Sequence, residues 1–284
     1  MGDRILRAMT NDGAFRVMTV RSTDTVQQAL DAQEADPAIR EHLGNLLSAA
    51  IVFRETMAPG QRVQAFLRGR EGSGVLIADS HPDGWGRVMA QLPRGAAAFD
   101  LGEGALLQMA RSLPNGQLHQ GVVEVPGKSI SEGLMQYMQL SEQITTMARF
   151  DLVLEGSEIK AAGGYLVQLL PEAPDREGPV LLMAQRLEDD FADIRQRLLD
   201  SDANPDELMN ELLYGMEFTH LHDSEIEAGC DCSRERVMGS LATLGRDDIQ
   251  ELLSGGEPLE MNCDWCNTTY VVELAELQGM AEPS

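Results

Sequence analysis

The sequence predicts an α+β protein with a large, mainly antiparallel N-terminal domain, a helical linker and a small C-terminal module built on cysteines. Three observations point there. Short apolar-alternating runs, punctuated by Gly, Pro, Asn and Asp, recur through the first 170 residues. Other runs repeat apolar residues every three to four positions, as helices do. All four cysteines fall in the last quarter of the chain, as Cys230-x-Cys232 and Cys263-x-x-Cys266.

The elements follow in order. Arg4 to Val20 alternates loosely and ends in an early strand, Phe15-Arg-Val-Met-Thr-Val20. Thr25-Val26-x-x-Ala29-Leu30 is amphipathic, and Pro37 opens a second helix whose Leu43, Leu46, Leu47, Ala50 and Ile51 share a face. A meander comes next, 61–67, 74–78 and 86–92, with a His81-Pro-Asp-Gly84 turn. Strands at 105–111 and 117–125 flank Pro114-Asn-Gly116. A helix over 130–140 and strands over 148–154 and 159–170 complete the domain. Pro171 to Pro179 is a Pro-rich break. Beyond it Val180, Met183, Leu187, Phe191, Ile194 and Leu198 form one amphipathic helix. Asn204-Pro205 caps another, containing Leu208, Leu212 and Leu213. The terminal module reads strand, Cys-Asp-Cys, helix, Cys-Asp-Trp-Cys, strand. Ser233 caps its first helix, 234–244, a second covers 247–253, and Asn267 suits a left-handed turn after the last cysteine.

Each cysteine pair can present two sulfurs to one ion, and four thiolates make a closed tetrahedral zinc shell. Such a shell has no open position for hydrolytic chemistry, yet its thiolates remain oxidisable. Two structural disulfides are the alternative, and thioredoxin-like use of the Cys-x-x-Cys alone is a third. The N-terminus lacks a secretory signal and no run of about 18 apolar residues occurs. The expected location is therefore a reducing cytoplasm, which favours zinc over disulfides.

Charge narrows the partners. The net charge is −24, and residues 217–284 carry about 15 acidic side chains against three arginines. Phosphate backbones and anionic lipid surfaces would be repelled, so neither nucleic acid nor membrane is expected. Common catalytic signatures are missing. There is no Gly-x-Ser-x-Gly, and Pro126-Gly-Lys-Ser129 has Val122 where a phosphate loop needs glycine, so it reads as a turn. His220-Leu-His222 could offer a metal ligand, but four thiolates already fill a zinc shell. No enzyme activity is expected.

The cysteine module resembles something specific. Cys230-Asp-Cys232-Ser-Arg-Glu-Arg236, then Leu244-Gly-Arg246, Cys263-Asp-Trp-Cys266 and Tyr270, are similar to the heat-shock protein 33 family of redox-regulated bacterial chaperones. Tyr137-x-x-x-Ser141-Glu-Gln143 and Ala162-Gly-Gly-Tyr-Leu-Val-Gln168-x-Leu170-Pro171 resemble two further motifs of that family. The resemblance runs from about Asp12 to Leu277 in the same order. Thr145, Gly229 and Asn267 depart from residues common in the family, respectively Pro, an aromatic and Gly. The resemblance implies three parts: a substrate-binding α+β domain over 1–170, a metastable helical linker over 171–228 and a zinc redox-switch module over 229–284. It implies an ATP-independent holdase, one zinc per chain on Cys230, Cys232, Cys263 and Cys266 when reduced, and disulfides Cys230–Cys232 and Cys263–Cys266 when oxidised. It implies a reduced monomer and an oxidised dimer that holds unfolding client proteins. Met183, Leu187, Phe191, Ile194 and Leu198 are the candidate client-binding residues, because their apolar stripe becomes available when the linker opens.

Overall fold

A computed structural model describes residues 2–94, 98–113, 115–127, 129–171 and 177–281. Pro114 and Lys128, which the sequence reading assigns to turns, and most of the break after Pro171 lie outside them. The chain divides into two compact units, Met1–Gly229 and Cys230–Ser284.

The first unit is built on two sheets. Strands β1 (Arg4–Thr10) and β2 (Phe15–Arg21) form a hairpin where the sequence suggested only the second strand. Helices α1 (Thr23–Asp31) and α2 (Pro37–Glu55) follow, and Asp36 caps α2 by accepting from the Ile39 N–H. The predicted meander is β3 (Val63–Arg68), β4 (Val75–Ser80) and β5 (Trp85–Gln91), continued by β6 (Leu106–Ser112) and β7 (Leu118–Glu124). Helix α3 is shorter than expected, Ile130–Tyr137. A wider π-type turn carries the chain on to Glu142, and Gln143 ends it at φ 58°.

The long hairpin β8 (Thr146–Glu155) and β9 (Glu158–Leu169) closes the α+β core. Gly163 and Gly164 let β9 lie tightly between β2 and β8. A Cβ at Gly163 would stand 2.3 Å from the Val20 carbonyl oxygen, and one at Gly164 2.1 Å from that of Arg149.

The expected single helix through Val180–Leu198 is two helices, α4 (Glu177–Asp190) and α5 (Ile194–Asp200). Asp193 causes the break: its side chain accepts from the Gln196 N–H, starting a new helix. Asp189 and Asp190 sit at the carboxyl end of α4, where the helix dipole disfavours acids. Helix α6 (Pro205–Leu212) begins at Asn204, which accepts from the Asp206 N–H. The segment assigned to a helical linker then changes character. Strand β10 (Phe218–Glu225) pairs antiparallel with β1, and the short β11 (Glu227–Ala228) pairs parallel with β5.

Strand orders are β10-β1-β2-β9-β8 and β11-β5-β4-β3-β6-β7. Helix α2 is buried nearly all round, from Leu43 to Phe53, and shares one core with residues of both sheets. Ile5, Met18, Val20 and Leu166 line that core. Alternation sends Leu6, Phe15, Val17, Tyr165 and Val167 to the other face of the five-stranded sheet. There a second core forms with α4, α5 and α6, through Met183, Phe191, Ile194, Leu198, Leu208 and Leu212.

The second unit holds α7 (Arg234–Leu241), α8 (Arg246–Ser254), the hairpin β12 (Leu259–Asn262) and β13 (Thr269–Val272), and α9 (Leu274–Ala281). Helix α9 was not anticipated, because the sequence reading ends the module on a strand after the last cysteine pair. Among the described residues the unit's buried apolar side chains are Leu241, Ile249, Val272 and Leu277. No helix among the described residues is long and apolar enough to cross a membrane.

Candidate metal centre

Local chemistry brings the first cysteine pair into place just before α7. The Ser233 hydroxyl accepts from the Arg236 N–H at 3.3 Å and caps the helix. Arg236 returns to Asp231, between the two cysteines, at 2.5 Å. Arg234 donates to the Val271 carbonyl at 2.7 Å and to Glu276 at 2.6 Å, tying the start of α7 to β13 and α9.

The second pair sits on the knuckle between β12 and β13. The Cys263 N–H donates to the Thr268 carbonyl at 2.9 Å and the Asn267 N–H to the Cys263 carbonyl at 2.8 Å. Asn267 stands at φ 56°, the left-handed conformation its residue type predicts.

The two pairs converge. The four sulfurs lie within 4.8 Å of one another, each half-buried. Cys230 Sγ is 3.8 Å from Cys263 Sγ, and Cys232 Sγ is 3.4 Å from Cys266 Sγ. A tetrahedral ion with metal–sulfur bonds near 2.3 Å places its sulfurs about 3.7 Å apart, so the donor set and its spacing fit such an ion. Among the described residues these four form the group able to hold a metal; His220 and His222 lie on β10 of the first unit.

Polar neighbours tune the sulfurs unequally. Burial pushes the Cys232 thiol up to about 12, although the Tyr270 hydroxyl donates to it at 3.1 Å. Burial also raises Cys263. Against its own burial, Cys266 is brought down to about 7 by the hydroxyl and backbone of Thr268, with Cys232 and Cys263 helping. The hydrogen bond to Cys232 raises Tyr270 to about 12. Without a cation the cluster favours a thiolate at Cys266 over one at Cys232, and four like charges this close repel. A divalent cation reverses that logic and stabilises all four thiolates.

The hydroxyls of Tyr270 and Thr268 were not assigned as sulfur partners from sequence. Their signal is positional: β-strand alternation after a Cys-x-x-Cys knuckle returns Thr268 and Tyr270 to the same side. The apolar five come together elsewhere. Met183, Phe191, Ile194 and Leu198 are buried in the second core of the first unit, and Leu187 packs partly covered at its margin.

Comparison with known proteins gives consistent results. A family model described as "Hsp33 protein" matches residues 3–273. A "33 kDa chaperonin" of Agathobacter rectalis is 29% identical over 298 residues, spanning 99% of this chain and 100% of its own. One from Geobacillus kaustophilus is 26% identical over 295 residues, spanning 99% and 98%. The crystal structure of the 33 kDa chaperonin (heat shock protein 33 homolog) from Thermotoga maritima has a TM-score of 0.85 at 23% identity. It covers 99% of this chain and 98% of that one, which is a likeness of fold.

Proposed function

The chain belongs to the Hsp33 family, and we propose that it is a redox-regulated, ATP-independent chaperone of the bacterial cytoplasm that holds unfolding proteins under oxidative stress. Its curated relatives are named chaperonins, which supports the coarse role of a chaperone. The observation that carries the regulated reading is the four-thiol cluster within 4.8 Å inside a unit with so small a core. We divide the chain by role into a client-binding domain, 1–170, a metastable segment, 171–228, and a redox module, 229–284.

In the reduced state Cys230, Cys232, Cys263 and Cys266 would hold one zinc ion. Bound there, zinc would tie the segment before α7 to the β12–β13 hairpin; structural zinc contributes on the order of 10–16 kcal/mol in small peptides. A whole domain's net stability is about 5–15 kcal/mol, so this unit depends on that cross-link. Peroxide takes two electrons from a pair of thiols, forming one S–S bond and releasing two waters. A disulfide needs sulfurs about 2.05 Å apart, which two ligands of one tetrahedral ion cannot provide. Once two of the four cysteines are joined, the remaining residues would no longer hold an ion, and the unit would loosen.

Proximity alone does not choose the pairing, since the close contacts in the reduced cluster run across the two pairs. Loop closure favours Cys230–Cys232 and Cys263–Cys266, whose loops are the shortest. Opening of the segment after 171 would then free Met183, Leu187, Phe191, Ile194 and Leu198 for clients, and the oxidised protein would dimerise.

The test is aggregation suppression of an unfolding protein by reduced and peroxide-treated chains, with metal release followed in parallel. Activity confined to the oxidised, metal-depleted form supports the reading. Equal behaviour in both states would leave a constitutive structural metal protein.

A further inference from the structure

Strand β10 occupies the edge of the five-stranded sheet and has no fully buried side chain. Thr219, His220, Leu221, His222 and Asp223 are exposed, and Phe218 is its one side chain packed against a core. Its partner β1 is the opposite, with Ile5, Leu6 and Ala8 buried. Backbone pairing therefore supplies most of what holds β10 in place, aided by exposed bonds such as Arg4 to Asp223 at 3.1 Å and Thr219 to Asn11 at 2.8 Å.

The match is also poor in side chains. Directly opposite residues share a face of the sheet. Leu6 faces Asp223, and Ala8 faces His220, on the side of the second core. The register shifts between Arg7 and Ala8, and Leu221, the apolar residue in the middle of β10, is left unpaired there and 48% exposed. A polypeptide with small or branched apolar residues at those two positions would pair better than β10 does.

We propose that β10 is a removable plug, and that the edge of β1 it covers is a docking site for one extended segment of an unfolding polypeptide, added as an antiparallel strand. The inference rests on the reading that the segment after 171 opens on oxidation. The seated strand shows what fits: about eight extended residues, recognised mainly through their backbone, which suits clients of unrelated sequence. The apolar face carrying Leu6, Ala8, Phe15 and Val17 adjoins this edge once α4–α6 leave. Among the described residues no further strand pairs with the outer edges of β7 and β8 in the resting sheets, so those edges cannot report the redox state.

The experiment uses the full chain and a full-length double variant, His220→Val with Asp223→Val, both exposed positions. Thiol oxidation, client holding and hydrogen exchange of the β1 amides are measured before and after peroxide. In the parent, β1 amides should lose protection on oxidation by more than about tenfold and regain it with client bound. The variant should oxidise its thiols equally, yet hold at least about threefold less client, because its plug pairs better. A synthetic peptide of residues 218–225 should compete for client on the oxidised parent, and its backbone N-methylated form should not. Equal holding by variant and parent, with β1 protected throughout and no peptide competition, overturns the proposal. An oxidised parent that holds no client at all overturns the chaperone-switch reading instead. Protection of β1 that tracks protein concentration without client would assign the edge to a second copy of this chain and equally reject client docking.

Discussion

At the scale of single residues the cluster is supported by partners that do not themselves bind a metal. The Tyr270 hydroxyl donates to Cys232 and the Thr268 hydroxyl meets Cys266 at 3.2 Å. Neighbours of this kind typically change metal affinity about 10–100-fold when removed. Tyr270→Phe should thus weaken metal binding by at least about tenfold in chelator competition and speed thiol oxidation, with the fold retained. An unchanged affinity would reduce Tyr270 to a packing residue. Gly229 gives a second case. A Cβ there would lie 2.7 Å from the Cβ of Trp85, whose ring stacks on His81 with centroids 4.3 Å apart. The space beside Gly229 is thus filled from β5, which accounts for a glycine there. Gly229→Tyr should cost about 1–3 kcal/mol in urea unfolding of the first unit, through overpacking. The cysteines and Asn267 were legible because spacing and backbone preference are local. The roles of Tyr270, Thr268 and Trp85 were not, because they depend on strand register and on a neighbour more than a hundred residues away.

At the scale of elements, the central helix α2 and the antiparallel meander could be read almost directly, since each carries one dominant period and clear turns. The helices after 177 could not. Their apolar spacing is continuous through Leu198, and only the capping bond of Asp193 divides it. The division has consequences. Helices α4, α5 and α6 have 14, 7 and 8 residues. Isolated helices shorter than about 12–15 residues are marginal in water, so two of these three owe their order to docking. Phe191 is the joint between them. Its ring meets Tyr165 edge-on at 5.8 Å, and the Arg197 guanidinium lies 4.3 Å above it. Phe191→Ala should destabilise this layer by about 3–5 kcal/mol. Limited proteolysis should then cut within 177–212 in the reduced protein, with client holding at lower peroxide doses. Persistence of full protection and an unchanged dose response would mean that the layer does not set the switching threshold.

On the scale of the whole molecule, net charge and connectivity act together. A charge of −24 opposes compaction and keeps an opened chain soluble. Salt screens that repulsion beyond about 8–10 Å, so raising ionic strength should delay opening after thiol oxidation without slowing the oxidation itself. Connectivity gives the sharper expectation. Both cores of the first unit are made of its own residues, the last being Ile226 and Ala228 in the first core. Removing Cys230–Ser284 therefore takes no side chain from either core. It does convert β10 and β11 into a chain end. Strand β11 is two residues long, anchored by the Gly229 N–H on the Gly86 carbonyl at 3.0 Å, and β10 has little side-chain burial to resist fraying. Fraying should run back from Gly229 through β11 and β10 to the short helices. The truncated protein should then bind hydrophobic dye, lose amide protection from β10 back to α4 while keeping it in β3–β7, and suppress aggregation without oxidant. A truncated chain that stays protected over 177–225, binds no dye and holds no client would show that losing the cysteine unit is not the signal. The switch would then require the oxidised unit itself or give way to a purely structural metal site, and metal removal from the reduced full-length chain separates these two outcomes.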